Sequence, residues 1–478
     1  MGQFLTPAPI AGFMASMLSV RRRSIRLLDA GAGIGSLTAA FVDRVCQSEV
    51  RPERLEVVAY EVDPMLAEHL RGTAESCAAA CRATGIDFDA TVLEEDFVQA
   101  GAELLNGSLF GPSKGSGFDC AILNPPYRKI RSDSRERRLL RSIGVETVNL
   151  YAGFLAITIK LLRRNGQLVA LTPRSFCNGP YYRPFRRLLL RAMRLQRLHV
   201  FERRDEAFRD DNVLQEHLII HAVKGAGTPS RVIVSSSEDG AVCRASHHQV
   251  DYEELVAPGD QEQFIHVITD VREGDILRRM NGLAHTLDDL QVEVSTGRVV
   301  DFRAKEFLRQ RPSETTAPLV YPAHFHGGRI QWPKYGSRKP NAIEVRPQTE
   351  DLLVPSGTYV LVKRFSAKEQ ARRIVAAVCN PSDVPCPVVA FENHLNYYHR
   401  KGTGLPPVLA HGLAAFLNST VFDRFFRSFS GHTQVNATDL RRMRYPSPEQ
   451  LCELGSVVGR EPAPQTEIDR LARQYLHV

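Results

Sequence analysis

Four short apolar runs, each followed by a polar residue able to bind a ligand, constrain the fold of this chain most strongly. The runs are residues 25–28, 55–60, 90–93 and 118–123, and the residues after them are Asp29, Glu61, the acidic stretch 94–96 and Asn124. Short apolar runs of this kind are typical of buried parallel strands. The carboxyl ends of such strands meet at one edge of a sheet, where open α/β folds bind ligands. The pattern therefore predicts an α/β, Rossmann-like doubly wound sheet with helices on both faces and a crevice at that edge.

A glycine-rich turn connects the first predicted strand to a helix that is expected to begin at Ser36. Gly31, Gly33 and Gly35 alternate with small residues after Asp29. Glycines at a strand-to-helix turn let a ligand approach the backbone closely. The spacing is GxGxG and differs from the GxGxxG of dinucleotide sites, so the turn alone is equally compatible with a plain tight turn.

The acidic residues after the second and third strands suggest a ligand with a ribose and a purine. Glu61 at the tip of the second strand is well placed for a ribose diol. Asp96 would accept a hydrogen bond from an exocyclic amine, and the neighbouring Phe97 would stack on a purine. Each acid taken alone is equally compatible with a solvated strand end. Their succession along one sheet edge favours a binding crevice.

The tetrapeptide Asn124-Pro125-Pro126-Tyr127 suits one chemical task. An amine conjugated to a ring or carbonyl is a poor nucleophile, because its lone pair is delocalised. An Asn side-chain oxygen and an adjacent backbone carbonyl can both accept hydrogen bonds from that NH2 and so localise the lone pair. Pro125 fixes φ and lacks an N–H, and Tyr127 offers a flat face to a planar substrate. The alternative is a strand that merely ends in a turn.

Composition bounds the class of protein. The chain has 478 residues, 43% of them apolar and 24% charged, which predicts two or three globular domains. A net charge of +7 suits a polyanionic partner, and segment 128–141 carries seven cations against two acids. We find no membrane-spanning stretch or signal peptide in the sequence. Nine scattered cysteines without a CxxC pair predict reduced thiols, a cytoplasmic protein and no metal site.

Six motifs in order resemble those of one enzyme family, the gamma-class adenine-N6 DNA methyltransferases of type II restriction–modification systems. Within residues 2–220 they are GQFLTPAPIAGFM, DAGAGIG, YEVDP, EEDF, NPPY and FRDDNVLQEHLII. PRSFCNGPYYRPFR and SGHTQVNATDLR further resemble the PstI-like modification methylases. Asp29 stands where some members of the family carry Glu, a mild change that leaves its role intact.

The resemblance implies roles for individual residues. Asn124 and Pro125 would activate the target amine, assisted by Pro126, while Tyr127 and Phe208 would hold the extruded base. The implied cofactor is S-adenosylmethionine. The residues implied to bind it are Thr6, Asp29, Ala30, Gly31, Gly33, Glu61, Val62, Asp96, Phe97 and Pro126. No metal ion is implied.

The predicted domain order is a catalytic domain over 1–225, a connecting segment over 226–285 and a mixed α+β target-recognition domain over 286–478. A compact catalytic sheet cannot make the groove contacts that sequence specificity requires. Asn393, Asn396, Gln434 and Asn436 are candidates for such contacts or for polar turns. Thr438 is predicted to cap a short helix.

The expected activity is methyl transfer to adenine N6 in double-stranded DNA, after the base has left the stack. The resemblance implies CTGCAG as the target and a cognate restriction endonuclease as a separate chain. Two other readings remain open. The same tetrapeptide serves enzymes that methylate an RNA base or a protein glutamine amide, although these resemble only the first half. The chain is also compatible with a non-catalytic DNA-binding specificity subunit, against which the intact NPPY motif argues.

Overall fold

The protein forms two compact units, residues 1–270 and 271–478, in the computed structural model. The structure describes residues 5–107, 117–201, 216–225, 227–237, 246–269, 271–336, 338–366, 370–430, 434–458 and 463–476. Phe208, which we predict to hold the target base, lies outside these residues. Among the described helices, none combines the length and apolarity that crossing a bilayer requires.

The first unit is built on a nine-stranded mixed sheet. Its strands are β1 Ser24–Ala30, β2 Arg54–Tyr60, β3 Asp87–Leu93, β4 Phe118–Leu123, β5 Leu162–Pro173, β6 Met193–Phe201, β7 His217–Lys224, β8 Arg231–Ser237 and β9 Ser246–Asp251. Their order is β3-β2-β1-β4-β5-β7-β6-β8-β9. Strands β3, β2, β1, β4 and β5 pair in parallel, and β7 is antiparallel to both of its neighbours. The predicted α/β sheet is confirmed.

Helices cover both faces of this sheet. They are α1 Ala8–Met17, α2 Ser36–Gln47, α3 Pro64–Ala83, α4 Phe97–Asn106, α5 Arg135–Ser142, α6 Leu150–Leu161, α7 Arg183–Ala192 and α8 Tyr252–Leu255. Successive strand residues point to opposite faces, and both Leu27 and Leu28 of β1 are fully buried. Leu27 belongs to the core that α1, α2 and α3 form over one face. Helix α4 packs on α6, and α6 packs on α7.

The chain after α7 stays in the first sheet. The basic helix α7 ends at Ala192, because the chain enters β6 at Met193. Strand β8 pairs with β6 and β9 pairs with β8, so both strands, which lie within the predicted connecting segment over 226–285, extend the first sheet. The domain roles and their exact limits stay predictions.

The second unit contains two small sheets and a group of helices. The strands are β10 Glu293–Thr296, β11 Leu308–Arg309, β12 Thr316–Val320, β13 Phe325–His326, β14 Arg329–Ile330, β15 Ala342–Glu344, β16 Leu353–Pro355, β17 Tyr359–Lys363, β18 Ala376–Cys379, β19 Val388–Phe391 and β20 Leu395–His399. They form a six-stranded sheet, β10-β20-β17-β18-β14-β13, and a five-stranded sheet, β11-β15-β12-β19-β16. The mixed α+β class predicted for this half is confirmed.

The helices of the second unit follow its strands for the most part. They are α9 Val271–Asn281, α10 Asp301–Ala304, α11 Pro407–Leu417, α12 Thr420–Phe429, α13 Ala437–Arg441, α14 Pro448–Val458 and α15 Gln465–Leu476. The prediction that Thr438 caps the short helix is wrong. Asn436 is the N-cap of α13, and Asn436 and Asp439 form a reciprocal capping box.

Candidate functional site

The glycine turn between β1 and α2 is held against the end of β2. The backbone N–H groups of Gly31 and Ala32 both donate to the Tyr60 carbonyl, at 2.9 Å each. Gly35 has φ of +88°, and a Cβ there would lie 2.8 Å from the Leu70 side chain. Glycine is therefore required at that position by both conformation and packing. The turn keeps its backbone open at the carboxyl edge of the sheet.

Glu61 bridges the glycine turn and the chain after β2. Its side chain is 1% exposed. Gly33 N–H donates to Glu61 Oε2 at 2.8 Å, and Asp63 N–H donates to Oε1 at 2.9 Å. Carboxylate oxygens have further acceptor capacity, so the predicted ribose contact is compatible with these bonds. The neighbouring Val62 is 63% exposed at the same edge.

Asp29 at the end of β1 is fully buried. The Thr38 hydroxyl donates to Asp29 Oδ2 at 2.7 Å, while Oδ1 has no hydrogen-bond partner among the described residues. Burial raises the pKa of the Asp29 carboxyl to about 7, against the hydrogen bond from Thr38, which lowers it. A buried oxygen without a partner is costly unless a ligand supplies one. Sequence reasoning missed Thr38, because nothing in its local pattern distinguishes it from a core threonine.

The side chain of Asn124, directly after β4, lies between two hydroxyl groups. Asn124 Nδ2 donates to Thr6 Oγ1 at 3.1 Å, and the Tyr127 hydroxyl donates to Asn124 Oδ1 at 2.7 Å. The same Tyr127 hydroxyl lies 3.3 Å from the Leu171 carbonyl. Thr6 directly precedes Pro7, the N-cap of α1, and its hydroxyl group contacts Asn124 rather than the helix.

A single cavity joins the amide to the glycine turn. Its lining residues are Leu5, Thr6, Gly31, Ala32, Gly33, Ser36, Leu37 and Asn124. Pro126 also approaches the turn, with its Cδ 3.9 Å from the position of a Cβ on Gly31. The structure thus brings together predicted site residues from the ends of β1 and β4 and from the segment before α1. Ala30, the last residue of β1, is fully buried beneath them.

Asp96 and Phe97 have structural tasks at the start of α4. Asp96 Oδ1 accepts the backbone N–H groups of Val98 and Gln99, at 2.8 and 3.1 Å, and so caps the helix. Phe97 is 2% exposed, with its ring 5.1 Å from each of the rings of Tyr60 and Phe154. Neither residue lines the cavity described above. Their predicted contacts with an adenine stay predictions.

Aromatic residues from α6 and β7 surround Tyr127. Tyr151 meets it edge-on at a centroid distance of 6.2 Å, and His217 lies 5.4 Å away. Burial raises the pKa of the Tyr127 hydroxyl well above its ordinary range, so it stays a hydrogen-bond donor. Sequence reasoning missed Tyr151 and His217, which lie far from the motif along the chain.

The basic segment 128–141 is partly neutralised by ion pairs. Arg128 pairs with Glu136 at 2.8 Å, and Arg137 and Arg141 both pair with Glu146. These pairs neutralise three of its cations, and one of the three, Arg137, is buried. The predicted contact between this segment and phosphates stays a prediction.

In the second unit, burial narrows the candidates for base contacts. Asn396 is fully buried and donates to the Val435 carbonyl, and Asn436 caps α13. His394 is instead about half exposed, with Nδ1 bonded to the buried Glu392. Asn396 and Asn436 thus make hydrogen bonds that support the fold, whereas the His394 side chain reaches the surface.

Comparisons with known proteins identify the family of the chain. The family model of the Eco57I restriction-modification methylases matches residues 80–208. The type II methyltransferase M.BsuBI of Bacillus subtilis is 44% identical over 480 residues, covering 100% of this chain and 94% of its own. The chain belongs to the type II methyltransferases of restriction–modification systems. M.PstI of Providencia stuartii, of the same family, is 40% identical over 478 residues, covering 100% of this chain and 93% of its own.

A solved structure shows the same fold across both units. The type IIL restriction-modification enzyme MmeI, determined in complex with DNA, matches with a TM-score of 0.57 at 11% identity and covers 98% of this chain and 72% of that one. Membership of the family makes the chain a methyltransferase that uses S-adenosylmethionine within a restriction–modification system, with DNA as substrate.

The residues present fit this cofactor. Asp29 Oδ1 is buried without a partner among the described residues, which suits a positively charged ligand group. The backbone of Gly31 and Gly33 leaves a small cavity that larger side chains would fill. The residues that line the cavity carry no charge, which is compatible with a compound that has a ribose and a sulfonium group.

Proposed function

We propose that the protein transfers a methyl group to N6 of an adenine that is flipped out of a specific site in double-stranded DNA. This modification protects the site from a cognate restriction endonuclease encoded as a separate chain. One observation carries the proposal: the Asn124 amide, directly after β4, lines the same cavity as Gly31 and Gly33. A target amine bound to Asn124 would therefore lie next to the methyl donor at the carboxyl edge of the sheet.

The chemistry rests on two hydrogen-bond acceptors. When bound, S-adenosylmethionine supplies an electrophilic methyl group, so the protein need only orient and activate the amine. Asn124 Oδ1 and the Pro125 carbonyl accept hydrogen bonds from the two N6–H groups and so localise the nitrogen lone pair. Both groups lie in a loop fixed by the end of β4, which is buried along its whole length. The acceptors are therefore in place before the base arrives.

The base needs support outside the helix. Removing an adenine from the stack costs a few kcal/mol, roughly what one or two aromatic contacts return. Tyr127 and Phe208 are proposed to supply those contacts. Unlike Phe208, Tyr127 is a described residue, and its ring is held by Tyr151 and His217.

The second unit is proposed to recognise the target, for which CTGCAG remains the predicted sequence. Its exposed basic and aromatic residues suit groove and phosphate contacts. These include Arg298, Phe302 and Tyr335, the last two 77% and 68% exposed. Long-read modification mapping of DNA from cells that express the protein identifies the methylated base and its sequence context together.

The decisive variant is Asn124→Ala. We expect it to keep binding S-adenosylmethionine and to lose methyl transfer to duplex DNA. Asn106→Ala, which removes an exposed amide at the end of α4, is the matched control and should retain transfer. Assays with duplex DNA, RNA and protein as acceptors separate the three substrate classes. Full activity of Asn124→Ala, or incorporation into RNA or protein alone, refutes the proposal.

A further inference from the structure

The turn between β19 and β20 holds a histidine ring at the surface of the second unit. The His394 side chain is 48% exposed, whereas that of Glu392 in the same turn is 1% exposed. One carboxylate oxygen of Glu392 contacts His394 Nδ1, and the other accepts the His394 backbone N–H at 2.9 Å. A carboxylate only accepts hydrogen bonds, so Nδ1 carries a hydrogen. Among the described residues, none bonds to the second ring nitrogen, Nε2, which is therefore available to a partner molecule.

Backbone contacts hold this turn in place. It leads from the five-stranded sheet, which contains β19, into the six-stranded sheet, which contains β20. The Asn393 N–H donates to the Val299 carbonyl at 2.9 Å, and the Leu395 N–H donates to the Glu392 carbonyl at 3.0 Å. A Cβ on Gly297 would lie 2.1 Å from the Glu392 carbonyl oxygen, so only glycine lets the two segments pack this closely. The position of the imidazole is thus fixed by the fold.

Aromatic and cationic side chains surround the ring. The Phe365 side chain is 43% exposed, and its ring centroid lies 4.8 Å from that of His394. Arg364 donates to the Asn393 carbonyl at 3.2 Å, and Arg298 is exposed in the segment that the Asn393 N–H contacts. Cations beside a directed hydrogen-bonding group are typical of a surface that contacts nucleic acid.

The arrangement fits the edge of a base better than a phosphate. A phosphate contact requires positive charge, which flexible lysine and arginine side chains supply at the surface. Reading a base edge requires one hydrogen-bonding atom aimed in one direction, which an imidazole with Nδ1 already bonded provides. Burying a carboxylate is costly, and both oxygens of Glu392 bond to His394. That cost is understandable if the ring must be oriented.

We propose that His394 is a base-reading residue: Nε2 forms a hydrogen bond with the edge of one base in the major groove of the target site, and Glu392 positions the ring. This inference rests on the proposed function, since it specifies how the second unit recognises the target. It predicts that removing the ring relaxes specificity at one base pair and leaves the preference at the other base pairs unchanged.

The test uses two variants and a matched control. His394→Ala removes the ring. Glu392→Gln keeps the size of the side chain but leaves one acceptor oxygen for two donors, so the ring loses part of its support. His247→Ala, at an exposed histidine of β9 in the first unit, is the control. Folding is checked by the thermal transition of each variant. Each protein then selects duplexes from a random library, and its affinity is measured for the selected site and for every single base-pair change, at several salt concentrations.

We expect His394→Ala to bind the wild-type site about 10- to 100-fold more weakly and to lose the preference at one base pair, in line with the value of one base contact. Glu392→Gln should weaken the preference at the same base pair. The double variant should lose no more than His394→Ala, because Glu392 acts through the ring. His247→Ala should match the wild type.

Two results for His394→Ala overturn the inference. One is an unchanged preference at every base pair. The other is an equal loss of affinity for all sequences with a smaller salt slope, which would assign the ring to a phosphate. Selection needs no turnover, so the proposed function is tested separately. A wild type that selects no sequence overturns the inference, whereas one that selects a site but transfers no methyl group to DNA refutes only the proposed activity.

Discussion

Asp29 gives the candidate cofactor site a pH dependence that follows from its surroundings. Burial raises the pKa of its carboxyl from 3.8 to about 7. At neutral pH, the Asp29 carboxyl is therefore protonated in about half of the molecules of the free protein. A cationic group of the cofactor beside Oδ1 favours the ionised form, so binding expels the proton. We expect the affinity for S-adenosylmethionine to rise with pH by up to about tenfold per unit below pH 7, then to level off.

Calorimetry measures the expelled proton directly. Titrations in two buffers of different ionisation enthalpy give the number of protons released per cofactor bound. From a pKa of about 7, release should be about 0.9 at pH 6 and about 0.1 at pH 8. Asp29→Asn removes the ionisation, whereas Asp63→Asn, at an exposed helix cap, serves as the control. Equal release by wild type and Asp29→Asn at pH 6 would show that another group titrates.

The same shift fixes the sign for stability of the free protein. A carboxyl whose pKa is raised by folding contributes stability that is fully present below its unfolded pKa of 3.8 and is lost as pH rises through about 7. Relative to Asp29→Asn, the free energy of unfolding of the wild type should fall on the order of 3 kcal/mol between pH 5 and 8. Urea unfolding at four pH values measures this difference. A pH-independent difference would contradict the assigned burial.

Three further predictions concern the site and its support. Tyr127→Phe keeps the ring and removes the hydrogen bond to the amide, so single-turnover transfer should slow about fivefold, for about 1 kcal/mol, while DNA affinity holds; an unchanged rate would exclude a role for the hydroxyl group. Arg186 is fully buried and donates to three backbone carbonyls. Arg186→Met should lower the free energy of unfolding in urea by about 3 kcal/mol or more, and a loss under 1 kcal/mol would contradict this. Arg131 is exposed and outside the ion pairs of segment 128–141. Arg131→Ala should lower the slope of log affinity against log salt by about 0.9 if it contacts one phosphate, and an equal slope would remove it from the interface.

The sheet was predictable because its signal is local. Each of the first four strands is a short apolar run that ends in a polar residue, and the strands begin and end close to those limits. Parallel strands place those ends at one edge, so the neighbourhood of Asn124 and the glycine turn followed from pattern alone. The strand pairs that extend the sheet beyond β7 were missed, since pairing partners leave no mark in a short window.

The hydrogen bonds within the site were not predictable, since they join distant parts of the chain. Thr6 had a plausible local partner in the helix that follows it, yet its hydroxyl group bonds to Asn124, 118 positions away. Thr438 is not the N-cap of α13, because Asn436, two residues earlier, takes that position and forms a capping box with Asp439. Local preference is a weak guide wherever a side chain has a tertiary partner.

The two buried acids at the edge of the sheet differ in whether both of their side-chain oxygens have hydrogen-bond partners in the protein. Each side-chain oxygen of Glu61 accepts a hydrogen bond from a backbone N–H group, one from Gly33 and one from Asp63. These bonds hold the glycine turn to the second strand. Asp29 receives one hydroxyl group and keeps a buried oxygen without a partner among the described residues. Both oxygens of Glu61 therefore have hydrogen-bond partners without a ligand. The second oxygen of Asp29 would gain a partner only when a ligand binds. Two single substitutions test this division: Glu61→Gln should disturb the turn with or without cofactor, whereas Asp29→Asn should change cofactor binding and the pH dependence of stability.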